Sequence, residues 1–234
     1  MHWEFDINQE GQDYICGDVH GCVDLLQDTL NAVGFSERVD RLFIVGDLID
    51  RGEASYEALR LLYEPYVYCV KGNHEDLMLS GLHDRQAYSL WYRNGGGWFE
   101  QLTEEEKSYL VEQLIPAVEE LPLFITLNHK SGKRIGICHA EPPTTDWNDV
   151  YDWENMKTHS LINAIWGRNK VNGHLSNKIT KNIDYTFHGH TIVDKVTQVG
   201  NSFFIDTGSF LSLDKWGGTG YITVINLDDF LSQM

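Results

Sequence analysis

The sequence predicts an α/β protein in which two packed sheets are flanked by helices. Three observations carry that prediction. Short apolar runs alternate with helix-spaced segments through the first half, and strand-like runs dominate after Pro122. No Pro/Gly/Ser linker, internal repeat or low-complexity stretch divides the 234 residues, so one domain over 1–234 is expected.

Residues 13–16 (Asp-Tyr-Ile-Cys) read as a strand entering a Gly-Asp loop. Val23, Leu26, Leu30 and Val33 then recur at helical spacing, and Gly34 suits the C-terminal cap. A short apolar run at 41–45, a helix marked by Ala58, Leu59 and Leu62, and a third run at 66–70 follow. Strand, helix, strand, helix, strand means a largely parallel core with helical crossovers. Thr103 and Glu106 form a capping box, with Leu110 and Leu114 continuing that helix over 104–114. Pro116 is expected to end it, leaving a separate turn near 117–120. Residues 123–129 and 134–138 flank Ser-Gly-Lys-Arg and read as a hairpin. A helix near 154–166 and strands near 184–188, 195–199, 203–206 and 221–227 complete the chain.

Composition narrows the function. The chain carries 18 Lys+Arg against 35 Asp+Glu, a net charge of −17. That charge repels nucleic-acid phosphates and anionic membrane surfaces, so neither is expected as a partner. Hydrophobic residues at 42% and aromatics at 12% supply a sizeable core and exclude a disordered acidic tail. No apolar run reaches the ~20 residues of a membrane helix. The first residues are acidic and polar, unlike a signal peptide. Cys16, Cys69 and Cys138 sit in or beside apolar stretches and none of the four cysteines forms a CxxC pair, which suits reduced, buried thiols in a cytoplasmic protein. A monomer is expected.

Three segments share one pattern: Gly17-Asp18-Val19-His20-Gly21, Gly46-Asp47-Leu48-Ile49-Asp50-Arg51-Gly52 and Gly72-Asn73-His74-Glu75-Asp76. Each follows an apolar strand, and ligands of open α/β sheets bind beyond the strand C-termini. His139 in Ile-Cys-His-Ala and His190 in Phe-His-Gly-His-Thr also lie at strand ends. Asp18, His20, Asp47, Asn73, His139 and His190 offer oxygen and nitrogen donors suited to Mn, Fe or Zn. Six ligands exceed the need of one tetrahedral ion and suit two ions ~3.5–4 Å apart bridged by a carboxylate, an arrangement that supports in-line displacement at phosphorus. A single Gly-Asp after a strand is usually a turn, and a single His is usually a surface or core residue. Five strand-end features together are not explained that way. His2, His83, His129, His159 and His174 follow no such motif and read as ordinary histidines.

The series GDVHG, GDLIDRG and GNHED resembles the signature of the phosphoprotein phosphatase family of calcineurin-like metallophosphoesterases. Arg93–Phe99 with its three glycines, Glu120–Leu123, Ile137–Ala140 and Ile205–Gly208 are similar to that family's bacteriophage lambda-type serine/threonine branch. The resemblance spans about residues 13–227. It implies a two-sheet metallophosphoesterase fold and two divalent cations, with manganese expected. Asp18, His20 and Asp47 would hold the first ion, while Asp47, Asn73, His139 and His190 would hold the second. A hydroxide bridging them would attack phosphorus directly. His74 would protonate the leaving oxygen, supported by Asp50, and Arg51 and Arg168 would grip phosphate, with Asn73 also near it. The implied substrate is a phosphoserine or phosphothreonine protein or peptide, with phosphotyrosine also conceivable.

His188 departs from the pattern. It either competes with His190 as a ligand or packs at the strand end, and the glycine before His190 favours the latter. Ile192 replaces a proline that often follows Gly-His-Thr. Other activities compete with this one. The same motifs occur in bis(5'-nucleosyl)-tetraphosphatases, and Trp91, Tyr92, Trp98 and Phe99 could stack on a base. A thiol phosphatase using Cys16 or Cys138 lacks the Gly-rich, Arg-terminated loop it needs. A non-catalytic binding module is disfavoured by the complete set of polar residues. Residues 142–165 join His139 to Arg168 and are expected to cover the site and set specificity.

Overall fold

The computed structural model describes residues 1–175 and 178–234. In its first half β1 (His2–Phe5) and β2 (Asp13–Cys16) are followed by α1 (Val23–Ala32), β3 (Arg41–Ile44), α2 (Ser55–Arg60) and β4 (Val67–Cys69). Helices α3 (Asn73–His83), α4 (Arg85–Arg93), α5 (Glu104–Tyr109) and α6 (Ile115–Glu119) come next. The second half contains β5 (Phe124–Asn128), β6 (Arg134–Ile137), α7 (Thr158–Trp166), β7 (Tyr185–His188), β8 (Thr197–Val199), β9 (Ser202–Phe204), β10 (Val224–Asn226) and α8 (Leu227–Ser232).

Two mixed sheets result. One runs β10-β2-β3-β4, with β2, β3 and β4 parallel and β10 antiparallel to β2. The other runs β1-β5-β6-β7-β9-β8, with β5/β6 and β8/β9 antiparallel and the remaining neighbours parallel. The two-residue period of a strand divides the core into layers. Ile15, Phe43 and Val45 point between the sheets and meet Ile125, Leu127, Ile137 and Phe187. Tyr14, Cys16, Leu42 and Ile44 point the other way, into a layer with Leu26, Leu59, Trp91 and Leu110 from the helices. Phe124, Cys138, Trp147, Val150 and Ala164 form a third layer on the outer face of the six-stranded sheet. Burial on both faces explains why β2 and β3 read as continuous apolar runs. Each fully buried Leu, Ile or Phe contributes about 1.5–3 kcal/mol of hydrophobic stabilisation.

The first-half order of strands and helices and the β5–β6 hairpin match the sequence reading. Several elements differ from it. Pro116 does not end the helical path: residues Leu110–Leu114 widen into a π-helical stretch and α6 continues to Glu119. The wider turn moves away the carbonyl that a proline ring would strike, and Pro116 lies at the start of α6, where its missing N–H breaks no bond. Helices α3, α4 and α8 and strand β1 were not foreseen. The helix expected over 154–166 begins only at Thr158, because residues 147–155 form 3-10 turns kinked at Asp152. Residues 142–165 do not cover the site either. Trp147 and Val150 are buried in the outer layer, and Trp147 Nε1 donates to Thr126 Oγ1 at 2.8 Å. The apolar side chains of this segment bind it to the back of the sheet.

Candidate metal centre and acid–base pair

The strand ends meet at one rim. Asp18 and His20 follow β2, Asp47 follows β3, Asn73 and His74 open α3 after β4, His139 follows β6, and His190 follows β7. The rim requires unusual backbone. Among the described residues six non-glycine residues have positive φ, and five of them are His20, Asp47, Asp50, Arg51 and His190. Left-handed conformations at such residues cost on the order of 1–3 kcal/mol each and persist only where the surroundings enforce them. Gly189 shows how tight the rim is, since a Cβ there would lie 1.8 Å from Asp18 Oδ1.

Donor atoms converge in two groups that share Asp47: His20, Asp47 and His74, and Asp47, His139 and His190. Nδ1 of His20 faces the Ile49 carbonyl at 2.8 Å, and Nδ1 of His139 faces the Val45 carbonyl at 2.7 Å. A carbonyl accepts only from N–H, so in each neutral ring Nε2 carries the lone pair. His139 Nε2 then lies 2.9 Å from Asn73 Oδ1 and 3.4 Å from Asp47 Oδ1. Asn73 Oδ1 also lies 2.6 Å from His190 Nδ1. Asp18 lies outside both groups; its Oδ2 accepts from His190 N at 3.0 Å, while its buried Oδ1 has no hydrogen-bond partner.

The electrostatics of this rim fit divalent cations. Burial pushes the Asp18 carboxyl well above the usual carboxylate range, and nearby Asp206 and Asp47 push it further. Burial also raises Asp206 to about 6. Burial opposes ionisation of Asp47 too, but His139, His74 and His20 outweigh it and hold that group well below its ordinary value. Burial drops His20 well below its ordinary range, with His74 adding to the effect, and burial takes His190 to about 3 with His139 adding to it. The neutral imidazoles of His20 and His190 and the crowded buried carboxylates form a cradle that positive charge would relieve. The donor set of oxygens and imidazole nitrogens suits a borderline or hard divalent ion.

Beside the cradle stands a hydrogen-bonded histidine–aspartate pair. His74 Nδ1 lies 2.7 Å from Asp50 Oδ2, and the buried His74 Nε2 has no hydrogen-bond partner. Arg51 places Nη1 2.9 Å from His20 Nε2 and lays its guanidinium 4.9 Å from the centre of the Phe210 ring. Arg168, just beyond α7, donates from Nε to His190 Nε2 at 3.0 Å. All ten residues singled out from the sequence therefore lie at this rim.

His188 does not. Its ring is fully buried on the outer face of β7, with Nδ1 3.0 Å from the Cys138 carbonyl and Nε2 2.8 Å from Thr186 Oγ1. Sequence reasoning also missed residues. Glu75 accepts from the backbone N–H groups of Gly72, Asp47 and Leu48 at 2.8–3.0 Å. Its signal was a glutamate three residues after Gly72, the position from which it can cap that glycine. Asp206 repeats the strand-end aspartate pattern after β9. Trp91 is sealed in the core and is no base-stacking platform, and both its indole N–H and that of Trp98 are directed at the Asp50 carboxylate.

Comparison with known proteins agrees with this geometry. The model of the calcineurin-like phosphoesterase family matches residues 14–194. Serine/threonine-protein phosphatase 2 of Salmonella typhimurium is 36% identical over 201 residues, covering 85% of this chain and 88% of that protein. A symmetrical bis(5'-nucleosyl)-tetraphosphatase of Pseudomonas putida is 33% identical over 138 residues, but covers 56% of this chain and 42% of that protein. A solved serine/threonine phosphatase structure from Saccharomyces cerevisiae superposes with a TM-score of 0.59 at 14% identity, over 94% of this chain and 75% of that one, a likeness of fold alone.

Proposed function

The chain belongs to the calcineurin-like phosphoesterase family, and from that premise we propose a metal-dependent phosphomonoesterase that removes phosphate from phosphoserine and phosphothreonine proteins. Phosphotyrosine is included in the proposed range. The carrying observation is the His74–Asp50 pair standing beside two donor groups joined through Asp47, in a chain similar over most of its length to a bacterial protein phosphatase. In this reading Asp18, His20 and Asp47 would hold one ion, and Asp47, Asn73, His139 and His190 would hold the other. Bound ions supply Lewis acidity toward water and phosphate. The oxygen and nitrogen donors suit manganese, iron or zinc alike, and manganese is the ion proposed. The four free, buried cysteines support a reducing cytoplasm.

The chain's own groups account for the rest. Arg51 and Arg168 bracket the cradle, and their forked N–H groups match the non-bridging oxygens of a phosphate. His74 offers Nε2 to the leaving oxygen and delivers a proton as the ester bond breaks. Asp50 accepts from Nδ1 and fixes the ring. Residues 1–234 act as one catalytic domain, working as a monomer.

The test compares kcat/KM for a phosphothreonine peptide and for diadenosine tetraphosphate, using protein stripped of metal and reloaded with manganese. The peptide is expected to win, and His74→Asn to lose about 10²–10⁴-fold on it. A preference for the dinucleotide by orders of magnitude would replace this substrate with the nucleotide one.

A further inference from the structure

The Asp50 carboxylate is fully buried and carries more than its bond to His74. Trp98 Nε1 donates to Oδ1 at 2.7 Å, and Trp91 Nε1 lies 3.1 Å from both oxygens. Both oxygens are therefore held by N–H donors from outside the motif that contains Asp50. The two indoles come from different elements. Trp91 is on α4, sealed in the core, and Trp98 lies in the 3-10 turn Gly96–Gln101 after the glycine-rich stretch. They meet edge to face, with ring centroids 6.0 Å apart. The glycines permit this approach: a Cβ on Gly96 would sit 2.5 Å from Trp91 Cε2.

We propose that Trp91 and Trp98 are positioning residues for the leaving-group proton transfer. They act through Asp50, whose carboxylate they fix in the plane that aims His74 Nε2 at the ester oxygen. Indole is suited to this task because it donates one hydrogen bond, accepts none, and stays neutral. A carboxylate held by indoles cannot rotate away from His74 without leaving an N–H unpaired in the core. The proposal rests on the phosphomonoesterase reading and adds to it the residues that orient its acid.

The proton matters in proportion to how poorly the leaving group departs without it. A phosphothreonine peptide must expel an alkoxide, whereas dinitrophenyl phosphate expels a stable phenolate. Trp98→Phe keeps an aromatic ring and removes the N–H together with the five-membered part of the indole. With manganese-loaded enzyme, kcat on the peptide is expected to fall on the order of tenfold, a fraction of what the acid itself supplies. KM is expected to stay unchanged, and kcat on dinitrophenyl phosphate to stay within about twofold of wild type. Trp91→Phe serves as a second variant in a more buried position. An equal loss on both substrates would show ordinary structural damage and overturn the proposal, as would no loss on either.

A separate readout uses the zinc-loaded protein, which is diamagnetic. The indole N–H resonances of Trp91 and Trp98 are expected downfield, and Asp50→Asn is expected to shift both. Resonances indifferent to Asp50→Asn would overturn the contact. A wild type that hydrolyses neither ester, with those shifts intact, would overturn the function on which the proposal rests.

Discussion

Glu75 supports the turn that carries Asp47. Its two oxygens gather three backbone N–H groups, those of Gly72, of Leu48 and of Asp47, the last held at positive φ. Glu75→Gln exchanges an acceptor oxygen for a donor and faces one N–H with another. We expect a loss of about 1–3 kcal/mol in urea unfolding, together with weaker metal retention measured by dialysis. Individual residues were unevenly legible. Asp18, His20, Asp47, Asn73, His139 and His190 stood out because glycines or apolar strands mark the turns that carry them. His188 became interpretable only through β7, where the two-residue period turns it away from the rim and burial takes it down to about 3. The Asp50–Trp98 contact was hidden because it joins residues 48 positions apart and no local pattern pairs an aspartate with an indole.

Elements that pack on both faces were legible, and edge elements were not. Strands β2 and β3 announced themselves as apolar runs, but β1 is four residues of mixed polarity whose pairing with β5 is what makes it a strand. His2 fastens that edge, with Nε2 2.9 Å from Thr126 Oγ1 and its ring 4.5 Å from that of Tyr151. Burial lowers His2 to about 4, against an ordinary value of 6.5. The folded state thus prefers the neutral ring. Between pH 6.5 and 4 the unfolded chain binds the extra proton, so this contribution is complete above pH 6.5 and lost on acidification through that window. After allowance for solvent screening it amounts to about 1–2 kcal/mol. Urea unfolding at pH 7 and pH 5 should therefore show a smaller acid loss for His2→Gln than for wild type. The π-helical stretch before Pro116 illustrates the same lesson, since a proline breaks a regular helix but fits one that the surrounding core has widened.

At the scale of the whole molecule, charge shapes the approach of substrate. A net charge of −17 surrounds a rim whose arginines are proposed to receive phosphate. Peptides with basic residues beside the phosphate should be drawn in and acidic ones repelled. Raising ionic strength from about 0.01 M to about 0.15 M shortens the Debye length from about 30 Å to about 8 Å. The kcat/KM of a basic-flanked phosphopeptide is expected to fall severalfold over that range, and that of an acidic-flanked one to rise. The two-sheet plan was legible because alternation of strands and helices gave way to strands, while the strand order was not, since each sheet mixes distant parts of the chain. The bond from His190 N to Asp18 Oδ2 spans 172 positions, and β10 closes beside β2 from the far end. Such closures are slow steps in folding, because the chain loses freedom before the contacts form. The ion cradle is accordingly a late product of folding. A nascent chain on the ribosome carries five of the six proposed ligands before β7 emerges, but His190 joins them only once β7 has docked, so divalent ions are expected to stabilise the finished fold more than its precursors.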